Sequence, residues 1–273
     1  MTDDGPGIAL CLGEDGVQRI TIDRPNEANA LSPLDRDALT DAFLHASGEP
    51  SVRAVLLRAG GERHFCTGAG LGPHATGPNS EAGGQNRPGD VARMLQQGWQ
   101  RLIAAVLDCD KPVVAAVRGT AAGAGASLLL ACDLVVMSTE ARFVASFVKR
   151  GILPDSGAIH LLSRIVGLRR ATELLMLGDP VDALACERLG LVNRVVAPPE
   201  VDPVAEQLAM RLAAGPTVAL GLTKRLLTVG TESGRDRAFE QEAWAQEAVS
   251  NTADLREGLR AFSERREPRF LGW

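Results

Sequence analysis

Two apolar-rich runs open the chain, residues 8–12 and 17–23, joined by Gly13-Glu14-Asp15-Gly16. Short apolar runs bounded by a Gly/Asp turn predict a β-hairpin. Arg24-Pro25-Asn26-Glu27-Ala28-Asn29-Ala30-Leu31 reads as a loop. Ser32 then caps a helix with Pro33 in its first turn, and Leu34, Ala38, Leu39, Ala42 and Phe43 follow helical spacing. Residues 52–58 form a strand, followed by Gly60-Gly61 and a loop over residues 64–71. Residues 91–107 carry helical periodicity, 112–117 a buried strand, 119–125 a glycine-rich turn, and 126–131 an apolar helix. A strand follows at 134–137, helices at 157–166 and 168–177 broken at Gly167, and a short strand at 192–196. Beyond Pro198-Pro199 the pattern is helical, with breaks near Gly215-Pro216, Gly230 and Asn251.

Strands alternating with helices predict a mainly parallel α/β core. The helical stretch from 200 cannot build a sheet, so it covers the core or mediates assembly. The expected division is a core over residues 1–199 and a helical C-terminal region over 200–273. Residues 72–89 are rich in Gly, Pro, Asn and Ser, which suits either a lid over a pocket or a surface insertion.

Composition narrows the chemistry. The 273 residues include no tyrosine, so mechanisms that need a phenol are excluded. A formal net charge of −5 gives no electrostatic footprint for nucleic acid. Cys11, Cys66, Cys109, Cys132 and Cys186 show no CxxC pair, and His45, His64, His74 and His160 show no metal spacing. The expectation is reduced thiols, no metal and a cytoplasmic location. Met1-Thr2-Asp3-Asp4-Gly5 lacks the basic start and apolar run of a signal peptide, and no run reaches the ~18 apolar residues of a membrane span.

Three segments carry candidate chemistry. Phe65-Cys66-Thr67-Gly68-Ala69-Gly70-Leu71 follows a strand. Its small residues let backbone N–H groups approach a ligand, and they equally suit a tight turn. Val117-Arg118-Gly119-Thr120-Ala121-Ala122-Gly123-Ala124-Gly125-Ala126-Ser127 delivers a strand to a turn and a helix start, where unpaired N–H groups favour negative charge. It is not a Walker loop, a nucleophile elbow or a dinucleotide fingerprint. In Gly151-Ile152-Leu153-Pro154-Asp155-Ser156-Gly157, Asp155 precedes a helix and can serve as its N-cap or as an acid/base group.

Taken together and in order, these segments resemble the crotonase superfamily, also called enoyl-CoA hydratase/isomerase. Further matches are Arg24-Pro25 with Asn29-Ala30-Leu31, Lys111-Pro112, Ala131-Cys132-Asp133, Gly190-Leu191-Val192, and Ala261-Phe262 through Arg265-Arg266. The resemblance implies a spiral of ββα turns with a C-terminal helical region that forms homotrimers, often paired as hexamers. It implies an acyl-CoA thioester as substrate, with coenzyme A part of that substrate and no further cofactor. The two oxyanion-hole donors fall at the Thr67 and Ala124 N–H groups. Removing one such donor typically raises the barrier by about 3–4 kcal/mol in other enzymes. The adenine end would touch backbone at Ala28 to Ala30 and at Thr67, Gly68, Ala69 and Gly70.

The departures select among reactions. Where hydratases of the family carry two glutamates, this chain has Ser127 and Phe147; Gly70 replaces an aspartate and Ala124 a glycine. Asp155 matches the catalytic aspartate of a subset that includes dienoyl-CoA and phenylacetyl-CoA-type isomerases. The resemblance therefore implies an enoyl-CoA isomerase, with an atypical hydratase and a non-catalytic acyl-CoA binder as alternatives. Desolvation by Phe147, Ile152 and Leu153 would raise the Asp155 pKa, and a helix N-terminus would lower it. His64 reads as a solvated loop residue rather than a contact to the thioester or phosphate, Cys66 as packing rather than a nucleophile, and Trp244 and Trp273 as packing or assembly residues. Arg265 and Arg266 read as CoA contacts of a neighbouring subunit or as a solvated helix face.

Overall fold

The computed structural model describes residues 5–70 and 89–273. The stretch from 72 to 89, read above as a lid or a surface insertion, lies outside these residues except for Gly89. Two sheets form the core. The larger holds β1 (Ile8–Leu12), β2 (Val17–Ile22), β3 (Ala54–Ala59), β5 (Val113–Val117), β7 (Leu134–Ser138) and β10 (Arg194–Val196), in the order β1-β2-β3-β5-β7-β10. β1 and β2 form the predicted antiparallel hairpin, and every other pair is parallel. The smaller sheet holds β4 (His64–Cys66), β6 (Thr120–Ala122), β8 (Arg142–Val144) and β9 (Val181–Asp182), in that order, with only β9 antiparallel.

Helices complete the repeat. α1 (Pro33–Gly48) joins β2 to β3, α2 (Asp90–Gln97) and α3 (Trp99–Leu107) follow β4, α4 (Ala124–Ala131) follows β6, and α5 (Ala158–Leu177) follows β8. Each of β3-β4, β5-β6 and β7-β8 is thus a long strand, a short strand and then helix. This is the ββα spiral, which the sequence did not display as a repeat. The expected mixed α/β architecture holds.

The large sheet is apolar on both faces, as a covered parallel sheet must be. Val55, Leu57, Ala115 and Met137 face one cluster, packed with α1, α3 and α4 residues. Ala54, Leu56, Val114 and Val136 face the other, with Val201, Ala205, Ala209 and Ala213 of α7 (Val201–Ala213). Those four recur every fourth residue, so they form one helical stripe. Small side chains let α7 lie close to the sheet. After α6 (Ala183–Arg188) and α7 come α8 (Thr217–Glu232), α9 (Arg235–Ser250) and α10 (Ala253–Glu264).

Several element boundaries differ from the sequence reading. Residues 91–107 are two helices, because Gly98 leaves helical geometry (φ −102°, ψ −104°). The turn at 119–125 contains β6, and α4 begins at Ala124 rather than 126. The break expected at Gly230 falls inside α8, which ends at Glu232. Leu34 is exposed on α1, while Leu39, Ala42 and Phe43 are buried as expected. The kink at Gly167 is present.

α8 is pinned to the core by charge. Lys224 Nζ lies 2.9 Å from the Asp133 carboxylate and donates to the Val106 carbonyl at 2.8 Å. Asp133 also accepts from the Val113 N–H at 2.7 Å, at the start of β5. Burial pushes the Asp133 carboxyl up, and Lys224 holds it back toward the ionised form. Replacing Lys224 with Met strands that carboxylate, an effect of about 3–5 kcal/mol when a buried pair is broken. The lower end is expected, because Asp133 keeps some access to solvent. Urea denaturation of the variant checks this as a lower midpoint at unchanged slope.

Candidate active site

The 24–32 segment is held by buried polar groups. Asn29 is fully buried, with φ of 52°. Its amide donates to the Gly60 carbonyl (2.9 Å) and the His64 carbonyl (2.7 Å), and its Oδ1 accepts from the Arg24 N–H (2.9 Å). Asp35 stands behind the segment with its side chain 1% exposed. It accepts from Gly7 N–H (2.7 Å), Arg24 Nε (3.0 Å), and the N–H (3.0 Å) and hydroxyl (2.7 Å) of Ser32. Burial pulls the Asp35 carboxyl upward, but the bonds from Ser32, Gly7 and Arg24 outweigh it and hold the pKa below its ordinary 3.8. A depressed pKa stabilises the fold above that ordinary value, and the contribution is lost as pH falls through the lower folded value. Thermal unfolding between pH 5 and 2 should therefore show an acid limb that Asp35→Asn flattens.

This segment is stitched to the first glycine loop. The Thr67 hydroxyl donates to the Ala28 carbonyl at 3.0 Å. Leu31 N–H donates to the Gly68 carbonyl (2.8 Å), and Gly70 N–H to the Leu31 carbonyl (3.3 Å). Ala28, Ala30, Thr67, Gly68, Ala69 and Gly70 thus form one continuous patch of backbone.

The second glycine loop meets the first at the ends of β4 and β6. Gly68 has φ of 87°, and a Cβ there would lie 3.0 Å from the Ala124 nitrogen. A Cβ on Gly125 would lie 2.1 Å from the Cys66 carbonyl oxygen, so the start of α4 and the end of β4 touch backbone to backbone. Among the described residues, neither the Thr67 nor the Ala124 N–H donates to an acceptor. Ala124 is the first residue of α4, where the N–H is free by helix geometry and the dipole favours an anion.

Asp155 does not cap α5. The helix begins at Ala158 after Gly157, and the Asp155 carboxylate accepts only from the Ser156 hydroxyl, at 2.8 Å, among the described residues. Nor do Ile152 and Leu153 bury it: they are 41% and 72% exposed. Phe147 is buried. Asp155 stands at the head of α5, which packs along α4.

A family model described as Enoyl-CoA hydratase/isomerase matches residues 13–272. The chain belongs to the enoyl-CoA hydratase/isomerase family. It is 36% identical over 258 residues to a Rhodobacter capsulatus protein named "Probable enoyl-CoA hydratase", covering 94% of this chain and 95% of that one. It is 33% identical over 259 residues to the 1,2-epoxyphenylacetyl-CoA isomerase of Escherichia coli, covering 95% and 96%. The crystal structure of an enoyl-CoA hydratase from Bacillus anthracis superposes with a TM-score of 0.88 at 29% identity, covering 98% of this chain and all of that one.

Ser127 and Phe147 are both buried in this member of the enoyl-CoA hydratase/isomerase family. Cys66 is unsuited to nucleophilic work, because burial pushes its thiol up to about 12. His64 is not a solvated loop residue: it lies in β4, and its Nδ1 is buried without a hydrogen-bond partner among the described residues. Arg266 is committed within its own chain to Glu257 and Glu264, both at 2.6 Å. Among the described residues no group of three His, Cys, Asp or Glu is placed to hold a metal. The short strands β4 and β6 gave little sequence signal, since a run of three residues carries no readable period; the glycine pattern beside them did.

Proposed function

We propose that this protein is an enoyl-CoA isomerase that moves a double bond through an enolate. The observation that carries the reading is that, among the described residues, neither the Thr67 nor the Ala124 N–H donates to an acceptor, on two loops that meet at Gly68 and Ala124. Two preoriented donors bind the thioester oxygen more strongly as it gains charge, which lowers the barrier. Asp155 removes a proton from C2 of a 3-enoyl thioester. The C–H electron pair becomes a dienolate with its charge on the thioester oxygen, and Asp155 returns the proton to C4. The double bond then lies between C2 and C3, and no water is consumed. Ser127 and Phe147 in place of carboxylates support isomerisation over hydration, while the names of the relatives include both hydratase and isomerase.

Coenzyme A enters as part of the substrate, along the backbone of Ala28, Ala30 and residues 67–70, and no other cofactor is required. The region 200–273 serves self-association as a trimer or hexamer of cytoplasmic subunits. Phe262 (86% exposed), Trp244 and Trp273 support this as apolar groups the single chain leaves uncovered. Among the described residues no helix is long and apolar enough to cross a membrane.

A panel of 3-enoyl-CoA esters, with hydration of 2-enoyl-CoA followed in parallel, tests the reading. Isomer formation is expected. Hydration alone would favour an atypical hydratase, and tight binding without turnover of any ester would favour a non-catalytic binder.

A further inference from the structure

Arg150 is an exposed residue whose charge is turned back toward the fold. It ends a single 3₁₀ turn, Val148–Arg150, beside Lys149. Lys149 pairs outward with Asp179 at 2.8 Å. Arg150 makes no ion pair among the described residues. Its guanidinium folds back four residues, where Nη1 donates to the Ser146 hydroxyl at 2.9 Å and to the Ser146 carbonyl at 3.4 Å. Cations suit the end of a helical turn. That accounts for a basic residue at 149 and at 150, but not for the return of Arg150 to Ser146. A guanidinium bonded only to neutral oxygens keeps its positive potential, since no carboxylate cancels it.

Ser146 brings that charge to the edge of the candidate site. It is 9% exposed and follows β8. The Val144 carbonyl accepts from the N–H groups of Gly123 (3.0 Å) and Ser146 (2.9 Å), so the two segments share one acceptor. Apart from its chain neighbours, a Cβ on Gly123 would meet the Ser146 Oγ first, at 3.5 Å, and the Thr67 carbonyl next, at 3.8 Å. The Gly123–Ala124 peptide carries the Ala124 N–H. Only the Ser146 hydroxyl therefore stands between an uncompensated cation and the turn proposed to bind the thioester oxygen.

We propose that Arg150, anchored by Ser146, is a positioning residue that places positive potential beside the Gly123–Ala124 turn, where the enolate gains its negative charge. This rests on the reading of Thr67 and Ala124 as the two donors. The attraction grows as charge develops on the oxygen, so it favours the transition state over the bound ester. Proton transfer stays with Asp155.

The test uses the full chain and 4-dimethylaminocinnamoyl-CoA. The absorption of this ester moves to longer wavelength as its thioester oxygen is polarised, and its fourth carbon has no hydrogen to shift. The band therefore reports on the oxygen and not on Asp155. Binding to the wild-type chain should move it to the red. Arg150→Gln should lose part of that shift and about 3–10-fold in kcat with a 3-enoyl-CoA, the effect of one solvent-screened charge at this remove. Affinity for the ester should hold within about twofold, because the interaction is made chiefly in the transition state. Arg150→Lys keeps the charge and should retain most of both. Ser146→Ala releases the guanidinium into water and should lose part of both. A full red shift with unchanged kcat in Arg150→Gln or in Ser146→Ala would overturn the assignment and leave the oxyanion site intact. So would an Arg150→Lys chain as slow as Arg150→Gln, or a loss of affinity and melting temperature with the band of the bound ester unmoved. A wild-type chain that binds the ester without a red shift would remove the Thr67 and Ala124 reading, and this one with it.

Discussion

Replacing Asp155 with Asn lowers turnover of a 3-enoyl-CoA by about 10²–10⁴-fold, the usual contribution of a positioned acid/base group. The affinity for an unreactive acyl-CoA stays unchanged, because the Thr67 and Ala124 N–H groups and the 24–32 segment are untouched. Asn keeps the shape and can still accept from the Ser156 hydroxyl, so folding is preserved. What it lacks is a group that takes up a proton and gives it back. The measurement is steady-state kinetics beside calorimetric binding. Equal loss in both would make Asp155 a structural residue, and unchanged turnover would remove it from the mechanism.

Replacing Gly125 with Ala has the second large effect. The added methyl would sit 2.1 Å from the Cys66 carbonyl oxygen, far inside contact distance. That oxygen belongs to the peptide that carries the Thr67 N–H, and the methyl stands one residue after the Ala124 N–H, the two donors proposed above. Relief of the clash must push α4 and β4 apart by about 1 Å, a displacement that can lower turnover about 10²-fold when it misplaces catalytic groups. Overpacking adds about 1–3 kcal/mol of destabilisation. Gly230→Ala in α8 is the control, because a Cβ there meets nothing within 4 Å. It should leave turnover alone and stabilise slightly, as glycine is a poor helix residue.

Much of the large sheet was legible because its strands are long enough to show continuous apolar runs, as at Val113–Val117. The Ser32–Pro33 start of α1 was legible because the capping residue has a chemical reason to be there, and the full capping box with Asp35 is present. The smaller sheet was invisible, since its strands have two or three residues each. Glycines marked Gly68 and Gly125 as places of close approach, but not what they approach. Asp155 illustrates the opposite limit: a carboxylate just ahead of a helix suggests a cap, yet Ser156 at φ 52° and Gly157 at φ 79° turn the chain so that the helix starts without it. The Asp35 network was also missed, because its donors at Gly7, Arg24 and Ser32 converge only through tertiary folding.

The small sheet has a consequence for how this protein loses activity. Its pairings, such as His64 with Thr120 and Ala121 with Phe143, join residues distant in the chain and contribute few ladder bonds of their own. Such a unit cannot persist apart from the layers around it, and it belongs to the low-stability end of a fold. During refolding it closes after the large sheet has brought its strands within reach. Catalytic competence is thus the last property gained on folding and the first surrendered in mild denaturant, ahead of any change in bulk helix content.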